Sequence, residues 1–380
     1  MDFQLTEEHE LIRGMVKEFV EEHVKPIAAE IDENHRFPEE SIAPMAELGM
    51  FGFTLPEKFG GNESDSLSYV IAAEEMAKVS ASHSMILGSQ CTLTTPILIK
   101  YAHPDLTNAI VPGMISGEKL GAFCLTEPGA GCDAAAQQTT AVRDGDNYVI
   151  NGSKIFITNA AQSEIFIVFA MTDKSKGVKG ISAFVVERSK TEGLRVGPPE
   201  IKMGMNASHT SEVFFKNCVV PAKNLLGKEG DGFKIAMSTL DAGRIGVAAM
   251  ALGIAEGALE EACAYIKERV QFGKPIAANQ GIQWRVAEMY TRLEAARLMT
   301  YRAAVMKDSG QRFTKESAMA KLFATEAAMD ITTMCVQLMG GMGYTKAFSV
   351  ERLMREAKVT EIFEGTNEIQ RIVIAKQVLA

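Results

Sequence analysis

"NYVINGSKIFITNA", residues 147–160, is the stretch on which the reading of the fold turns. Apolar-alternating runs flank Asn151-Gly152, a dipeptide that favours two-residue hairpin turns, so a β-hairpin is expected with its tip at 151–152. Working outward, "EIFIVFAM" (164–171), "GISAFVVE" (180–187) and "SEVFFKNCVV" (211–220) are further strand candidates. The β texture runs from "KLGAFCLTEPGAGCD" (119–133) to "NLLG" (224–227). Strands at short spacing without helices between them imply an antiparallel barrel or sandwich, not βαβ units.

Both flanks read as helix. Over 6–31, Ile12, Val16, Phe19, Val20, Val24 and Ile27 recur at steps near 3.6 behind a Thr6 N-cap, and Pro26 bends or restarts the helix. A second helical pattern over 66–117 is broken at Pro96, His103-Pro104 and Pro112. On the C-terminal side a long helix over 232–270 stops at "FGKP" (272–275). In the next helix Ile282, Val286, Met289, Leu293 and Ala296 form the seam of a bundle. Thr314 caps a third helix that ends at Gly340-Gly341, and a fourth begins just after Glu364. The expected fold is therefore α+β in three parts: an N-terminal all-helical domain (1–119), a central antiparallel β domain (120–230) and a C-terminal four-helix bundle (231–380).

The 380 residues carry a net charge of −9, which speaks against a nucleic-acid surface, since phosphate binding needs clustered Lys and Arg. No run reaches the apolar length of a membrane span, and the N-terminus is acidic from Asp2, without a signal or transit pattern. A cytoplasmic location with no membrane insertion is expected. The six cysteines form no C-x-x-C pair and read as reduced, mostly core thiols, and the histidine spacing offers no metal site. G-x-G-x-x-G after a strand, G-x-x-x-x-G-K-[ST] and G-x-S-x-G are all missing, which disfavours a Rossmann NAD site, a P-loop and an α/β-hydrolase triad.

Two glycine-rich stretches remain, "LTEPGAGCD" (125–133) and "QLMGGMGY" (337–344). Such backbone lets a flat ring or a pyrophosphate approach its N–H groups, although on residues alone both also read as turns and a helix C-cap. Glu364, in "VTEIFEGTNEIQRIV" (359–373), stands between Phe363 and Gly365 with no basic neighbour. Burial beside Phe363 raises a carboxyl pKa towards neutrality, the tuning that a general base needs, and Gly365 lets a ligand come close. The bland alternative is a loop carboxylate at a helix start, favoured by the helix dipole.

Taken in order, "LTEPGAGCD", "NGSKIFITN" (151–159), "DAGRIGVAAMALGIAEGAL" (241–259), "RVQFGKPI" (269–276), "QLMGGMGY" and "IFEGTNEIQR" resemble the acyl-CoA dehydrogenase family, in particular its short-chain, butyryl-CoA type, over essentially the whole chain. The resemblance implies FAD as cofactor and an acyl-CoA or enoyl-CoA thioester as substrate. It also implies an electron-transferring flavoprotein as redox partner and a homotetramer. Glu364 would be the base that removes the pro-R α-proton, and its own N–H, with the FAD ribityl 2′-hydroxyl, would hold the thioester oxygen. Phe123, Cys124, Leu125, Thr126, Gly131 and Cys132, with Phe156, Ile157 and Thr158, match flavin-ring contacts. Arg269, Phe272 and Gln280, and Gln337, Leu338, Met339, Gly340 and Gly341, match pyrophosphate and adenosine contacts shared across a dimer. Thr366, Asn367 and Glu368 match further FAD contacts, while Asp241, Ala242, Gly243, Arg244, Cys132 and Gly365 match acyl-CoA contacts.

Three positions depart from the family pattern: Cys132 where Ser is usual, Phe156 where Trp is usual, and Phe363 where Tyr is usual. The same site run backwards is an enoyl-CoA reductase for an acrylyl- or aryl-propenoyl-CoA. An oxidase open to oxygen and a non-catalytic acyl-CoA-binding protein are the other readings, and the carboxylate at 364 argues against the last.

Overall fold

Thr6 opens the helical part of the chain. Its hydroxyl accepts the His9 amide and the His9 ring accepts the Thr6 amide, a reciprocal cap. The structure is a computed structural model that describes residues 4–379, so Asp2 of the acidic N-terminus lies outside them. Helix α1 (Glu7–Phe19) passes through a π-helical turn, Val20–Val24, and after Pro26 the chain restarts as α2 (Ala28–Glu33). Helices α3 (Glu39–Glu47), α4 (Ser66–Ala77), α5 (Ala81–Gly88), α6 (Thr95–Tyr101) and α7 (Pro104–Ile115) follow. Pro96 and Pro104 stand in first turns, where no N–H is needed. Pro112, expected to break the pattern, lies inside α7 in its last turn, where the missing N–H costs a single bond near the helix end.

The central sheet has eight strands. These are β1 (Leu120–Cys124), β2 (Thr140–Asp144), β3 (Asn147–Thr158), β4 (Ser163–Met171), β5 (Ile181–Glu187), β6 (Leu194–Pro199), β7 (Thr210–Pro221) and β8 (Leu225–Leu226). Their order is β6-β7-β3-β2-β4-β5-β8, with β1 beside β4. Most pairs are antiparallel, but β1 runs parallel to β4, and β2 meets β4 in parallel at Thr140–Met171, so the sheet is mixed. The hairpin tip is not at Asn151-Gly152: β3 runs straight through that dipeptide, and the chain turns at Gly145-Asp146. Gly152 serves a different need. It sits at φ +147 where the ladder to β7 shifts register, and a Cβ there would lie 2.4 Å from Thr139 Oγ1. Strand β4 is buried on both faces: Ile165, Ile167 and Phe169 join one core and Phe166, Val168 and Ala170 the other. That is why it reads as an unbroken apolar run.

Helices α8 (Gly232–Glu268), α9 (Gln280–Asp308), α10 (Thr314–Met339), α11 (Val350–Thr360) and α12 (Asn367–Leu379) complete the chain. A two-stranded hairpin over 270–275 joins α8 to α9. Helix α11, between the third long helix and Glu364, was not anticipated, and it makes the C-terminal part more than a four-helix bundle. Thr314 is the first residue of α10, and its hydroxyl donates to Asp241 Oδ2 at 2.7 Å instead of capping the helix. Helix α8 is long and apolar enough to cross a membrane, contrary to the reading of the sequence, yet 83% of that apolar window is buried in the fold. It is the central core helix. Cβ atoms at Gly253 and Gly257 would lie 2.1 Å from the carbonyl oxygens of Glu74 and Lys78, so glycine lets α4 lie directly on α8. Around that contact Met76, Met250, Leu252 and Ile254 are buried, each worth about 1.5–3 kcal/mol. One core thus joins the N- and C-terminal helices, and the loop carrying Glu364 lies between its last two helices.

Candidate active site

Helix α11 ends at Thr360, and after six intervening residues α12 begins at Asn367. In the tight loop between them Glu364 has φ +52 and Gly365 φ +91. Left-handed backbone at a non-glycine residue costs of order 1–3 kcal/mol and needs outside support. Lys321, on α10, gives that support by donating to Gly365 O at 3.0 Å and Asn367 Oδ1 at 2.9 Å. Thr325 adds a bond to Asn367 Oδ1 at 3.1 Å, and Gln370 donates to Gly365 O at 2.8 Å. The Glu364 N–H finds no acceptor among the described residues. It is an idle donor beside the carboxylate.

That carboxylate is unusually placed. Its Oε2 is closed off from solvent and accepts no hydrogen bond among the described residues. A Cβ on Gly243 would lie 1.9 Å from Oε2, so glycine on α8 makes room for the acid. Burial pushes the Glu364 pKa up to about 7, against the pull of Arg244 and Lys321. The expectation of no cation nearby is therefore corrected: two cations from other helices face Glu364, and desolvation outweighs them. Arg244 is buried, bonded through Nη1 to Asp241 Oδ1 at 2.6 Å, and its Nε finds no partner among the described residues. Burial lowers Lys321 to about 8, with Glu364 pulling the other way.

Other buried acids are engaged. Glu127 takes Lys154 at 2.8 Å and the Thr139 amide at 3.0 Å. Burial works to raise its pKa, but Lys154 and the amides hold it below the usual range. Half-buried Glu256 likewise binds Arg297 at 2.9 Å and Lys78 at 3.1 Å.

A cavity of about 220 Å³ lies between α4, α8 and the end of α9. Tyr69, Cys91, Thr92, Ala242 and Ile245 are among the residues that wall it, with Ser66, Lys307 and Asp308. Ala242 precedes Gly243, and the Tyr69 phenol is pushed up by burial, then by Cys91 and Glu364. Both residues place the cavity near the carboxylate, which does not itself line it.

Three of the expected segments converge on the same loop. The Ile155 amide donates to Thr126 O at 3.0 Å, and Cys132 Sγ approaches Thr366 Oγ1 at 3.9 Å. This brings together 123–132, 156–158 and 364–368. Within them Cys124, Leu125 and Ile157 point into the core, so only their backbone is available to a ligand. Phe156 is 61% exposed at φ +58, and Cβ atoms at Gly129 and Gly131 would meet nothing within 4 Å. Open space along glycine backbone and an exposed phenyl ring fit a flat heteroaromatic ring such as a flavin. Asp241, beneath Arg244, and Asn367, spent on Lys321 and Thr325, act here as supports.

The second group lies elsewhere on the chain. Arg269 caps the end of α8, Phe272 sits on the 270–275 hairpin and Gln280 starts α9, while Gln337, Leu338, Met339, Gly340 and Gly341 close α10. Among the described residues no hydrogen bond links either set to the loops around Glu364. Leu338 and Met339 are buried, whereas Phe272 is fully exposed at φ +52.

Reading the sequence alone missed Lys321, Lys154, Tyr69 and Lys307. Two carried a signal. Lys321 continues the buried stripe Ser317, Ala324 and Ala328 on α10, and Lys154 is in phase with the inward Tyr148 and Ile150 of β3. A lysine in phase with a buried stripe implies a buried partner.

Family models for the acyl-CoA dehydrogenase N-terminal, middle and C-terminal domains match residues 6–118, 122–218 and 230–379. The chain is 51% identical over 378 residues to the short-chain specific acyl-CoA dehydrogenase of Clostridium acetobutylicum, covering 100% of both. It is 46% identical to the acryloyl-CoA reductase (NADH) of Anaerotignum propionicum, covering 100% of this chain and 96% of that one. A chain in a solved structure described as the electron transferring flavoprotein of Acidaminococcus fermentans, concerned with flavin-based electron bifurcation, superposes with a TM-score of 0.98 at 48% identity, covering 100% of both.

Proposed function

The chain belongs to the acyl-CoA dehydrogenase family, and from that premise we propose that it interconverts a short-chain acyl-CoA thioester and its trans-2-enoyl-CoA, with FAD bound and electrons exchanged with an electron-transferring flavoprotein. The family is FAD-dependent. The observation that carries the reading is Glu364: a carboxylate with one oxygen closed to water and unbonded, tuned to about 7, seated against Gly243 on α8 next to the cavity-lining Ala242.

In the oxidative direction the Glu364 carboxylate takes the proton from the thioester α-carbon, breaking that C–H bond. Its idle N–H donates to the thioester oxygen, where enolate charge develops. Arg244 and Lys321 keep a share of the carboxylate ionised near neutral pH. FAD, when bound, supplies the acceptor for the β-hydrogen as hydride. Phe123 to Cys132, Phe156 to Thr158 and Thr366 to Glu368 would hold its ring side. Arg269, Phe272, Gln280 and Gln337 to Gly341 would serve the FAD of a neighbouring chain in a homotetramer, which accounts for their lying apart from Glu364. The acyl-CoA would meet Cys132, Asp241 to Arg244 and Gly365.

Reduction of an enoyl-CoA is the second reading, favoured by the likeness to an acryloyl-CoA reductase. Purified protein should be yellow with about one FAD per chain. Assays with butyryl-, octanoyl- and branched acyl-CoA, against flavoprotein and oxygen as acceptors, and with crotonyl-CoA and a reduced dye, set substrate and direction. A colourless protein that FAD does not reconstitute would overturn the proposal.

A further inference from the structure

Thr314, the first residue of α10, spends its hydroxyl on Asp241 Oδ2 at 2.7 Å and not on an amide of its own helix. Asp241 passes that anchor on. Its other oxygen takes Arg244 Nη1 at 2.6 Å, the single hydrogen bond of Arg244 among the described residues. A guanidinium carries more donors than that, and here Nε is closed off from solvent with no partner among the described residues. Gly243, the residue before Arg244, abuts Glu364 Oε2, which is also closed off and unbonded. A buried cation and a buried carboxylate therefore act on one another without a hydrogen bond between them. Left free, such groups gain from pairing directly. What holds the guanidinium back is Asp241, itself held by Thr314.

Direct pairing would spoil the base, because it occupies the carboxylate oxygen and pulls the pKa down. Glu364 is faced by Arg244 from α8, Lys321 from α10 and the Tyr69 phenol from α4. Asp241 is faced by Arg244 and by Arg312, on the link between α9 and α10. Burial raises the Asp241 pKa, and the Thr314 hydroxyl opposes it first, then the two arginines. The plain structural role, a bond tying α10 to α8, accounts for the contact between Thr314 and Asp241. It does not account for a buried arginine left with one bond beside an unpaired carboxylate. We propose that Thr314 and Asp241 are positioning residues that tether Arg244 away from Glu364, so that the base feels the cation yet keeps a free oxygen. This rests on the base role proposed for Glu364.

The test uses FAD-loaded Thr314→Val, Thr314→Ser and Asp241→Asn. Loss of the hydroxyl or of the Asp241 charge frees Arg244 to close on Glu364 and removes opposing negative charge, and both lower the Glu364 pKa. The acid limb of kcat/KM for butyryl-CoA is expected to move to lower pH, by about one unit in Asp241→Asn and by less in Thr314→Val. The plateau above it should fall by about tenfold or more, since the base is engaged. Thr314→Ser keeps the wild-type limb. A second measurement does not depend on turnover: the Tm gap between each variant and its combination with Glu364→Gln, followed from pH 5 to pH 8. In wild type that gap grows up to about pH 7, and in Asp241→Asn and Thr314→Val it should level off at lower pH. A limb and a gap that stay in place or move to higher pH in Asp241→Asn overturn the inference, and so does that outcome in Thr314→Val. A tie between helices alone would lower Tm by a similar amount at every pH. If Thr314→Val does not fold, Asp241→Asn decides. Flavin bleaching of the wild type by butyryl-CoA with the limb unmoved in the variants sinks only this inference. No bleaching by any thioester sinks the parent reading, and the Tm gap then still decides whether Arg244 is tethered.

Discussion

A glutamate at φ +52 followed by a glycine at φ +91 is backbone the chain holds only through Lys321, Thr325 and Gln370. Because the folded pKa of Glu364 is raised to about 7, its ionised, base-competent form is lost as pH falls through that value. Turnover should therefore decline on the acid side of about pH 7, read from a kcat/KM profile. The linkage to stability runs the opposite way. A carboxyl raised on folding binds its proton more tightly in the native state, so its contribution is full at low pH and lost as pH rises through about 7. Glu364→Gln, which cannot charge, should melt progressively higher than wild type between pH 5 and pH 8, and a constant gap in Tm would contradict the shift. Gly243→Ala places a Cβ 1.9 Å from Oε2 and should cost at least about 10² in rate while circular dichroism stays native. Phe363 and Gly365 made Glu364 legible from sequence. Its two cations were not, since Arg244 and Lys321 reach it from helices far away along the chain.

Helix α10 carries the strongest coupling between an element and the site. Lys321 both pins the loop and faces the carboxylate, so Lys321→Met removes a positive charge and two hydrogen bonds. The acid limb of the pH profile should then move to higher pH, because less positive charge favours the protonated acid. An acid limb left in place would show that Lys321 only supports the loop. In the sheet, Lys154→Met leaves Glu127 without its cation, and breaking such a buried pair typically costs about 3–5 kcal/mol, read by denaturant unfolding. The three-part order of helix, sheet and helix was legible because period-2 and period-3.6 patterns occupy separate stretches. The hairpin tip was not. Asn151-Gly152 and Gly145-Asp146 both mark positions that need glycine, and only the ladder to β7 shows that the first is a bulge and the second the turn.

At the scale of the whole molecule, Trp284, Leu298 and Val305 on α9 are exposed at intervals of multiples of seven, an uncovered apolar stripe on one helix face. Phe272 and Tyr344 are 101% and 87% exposed beside the residues assigned to a neighbour's FAD. Sedimentation should find a tetramer, and Trp284→Asp with Leu298→Asp should dissociate it and weaken FAD retention; a fully active, FAD-saturated monomer would contradict this. A single chain does not spell out which of its surfaces meets another copy, and of these positions the resemblance pointed only to Phe272. The central claim, that Glu364 removes the α-proton of a bound thioester, has one direct test. Wild-type protein and Glu364→Gln, both loaded with FAD, are mixed anaerobically with butyryl-CoA while flavin absorbance is followed. The account predicts rapid bleaching in the wild type and a rate lower by about 10² to 10⁴ in the variant, with ligand binding retained. Bleaching of the variant at near wild-type rate would contradict it.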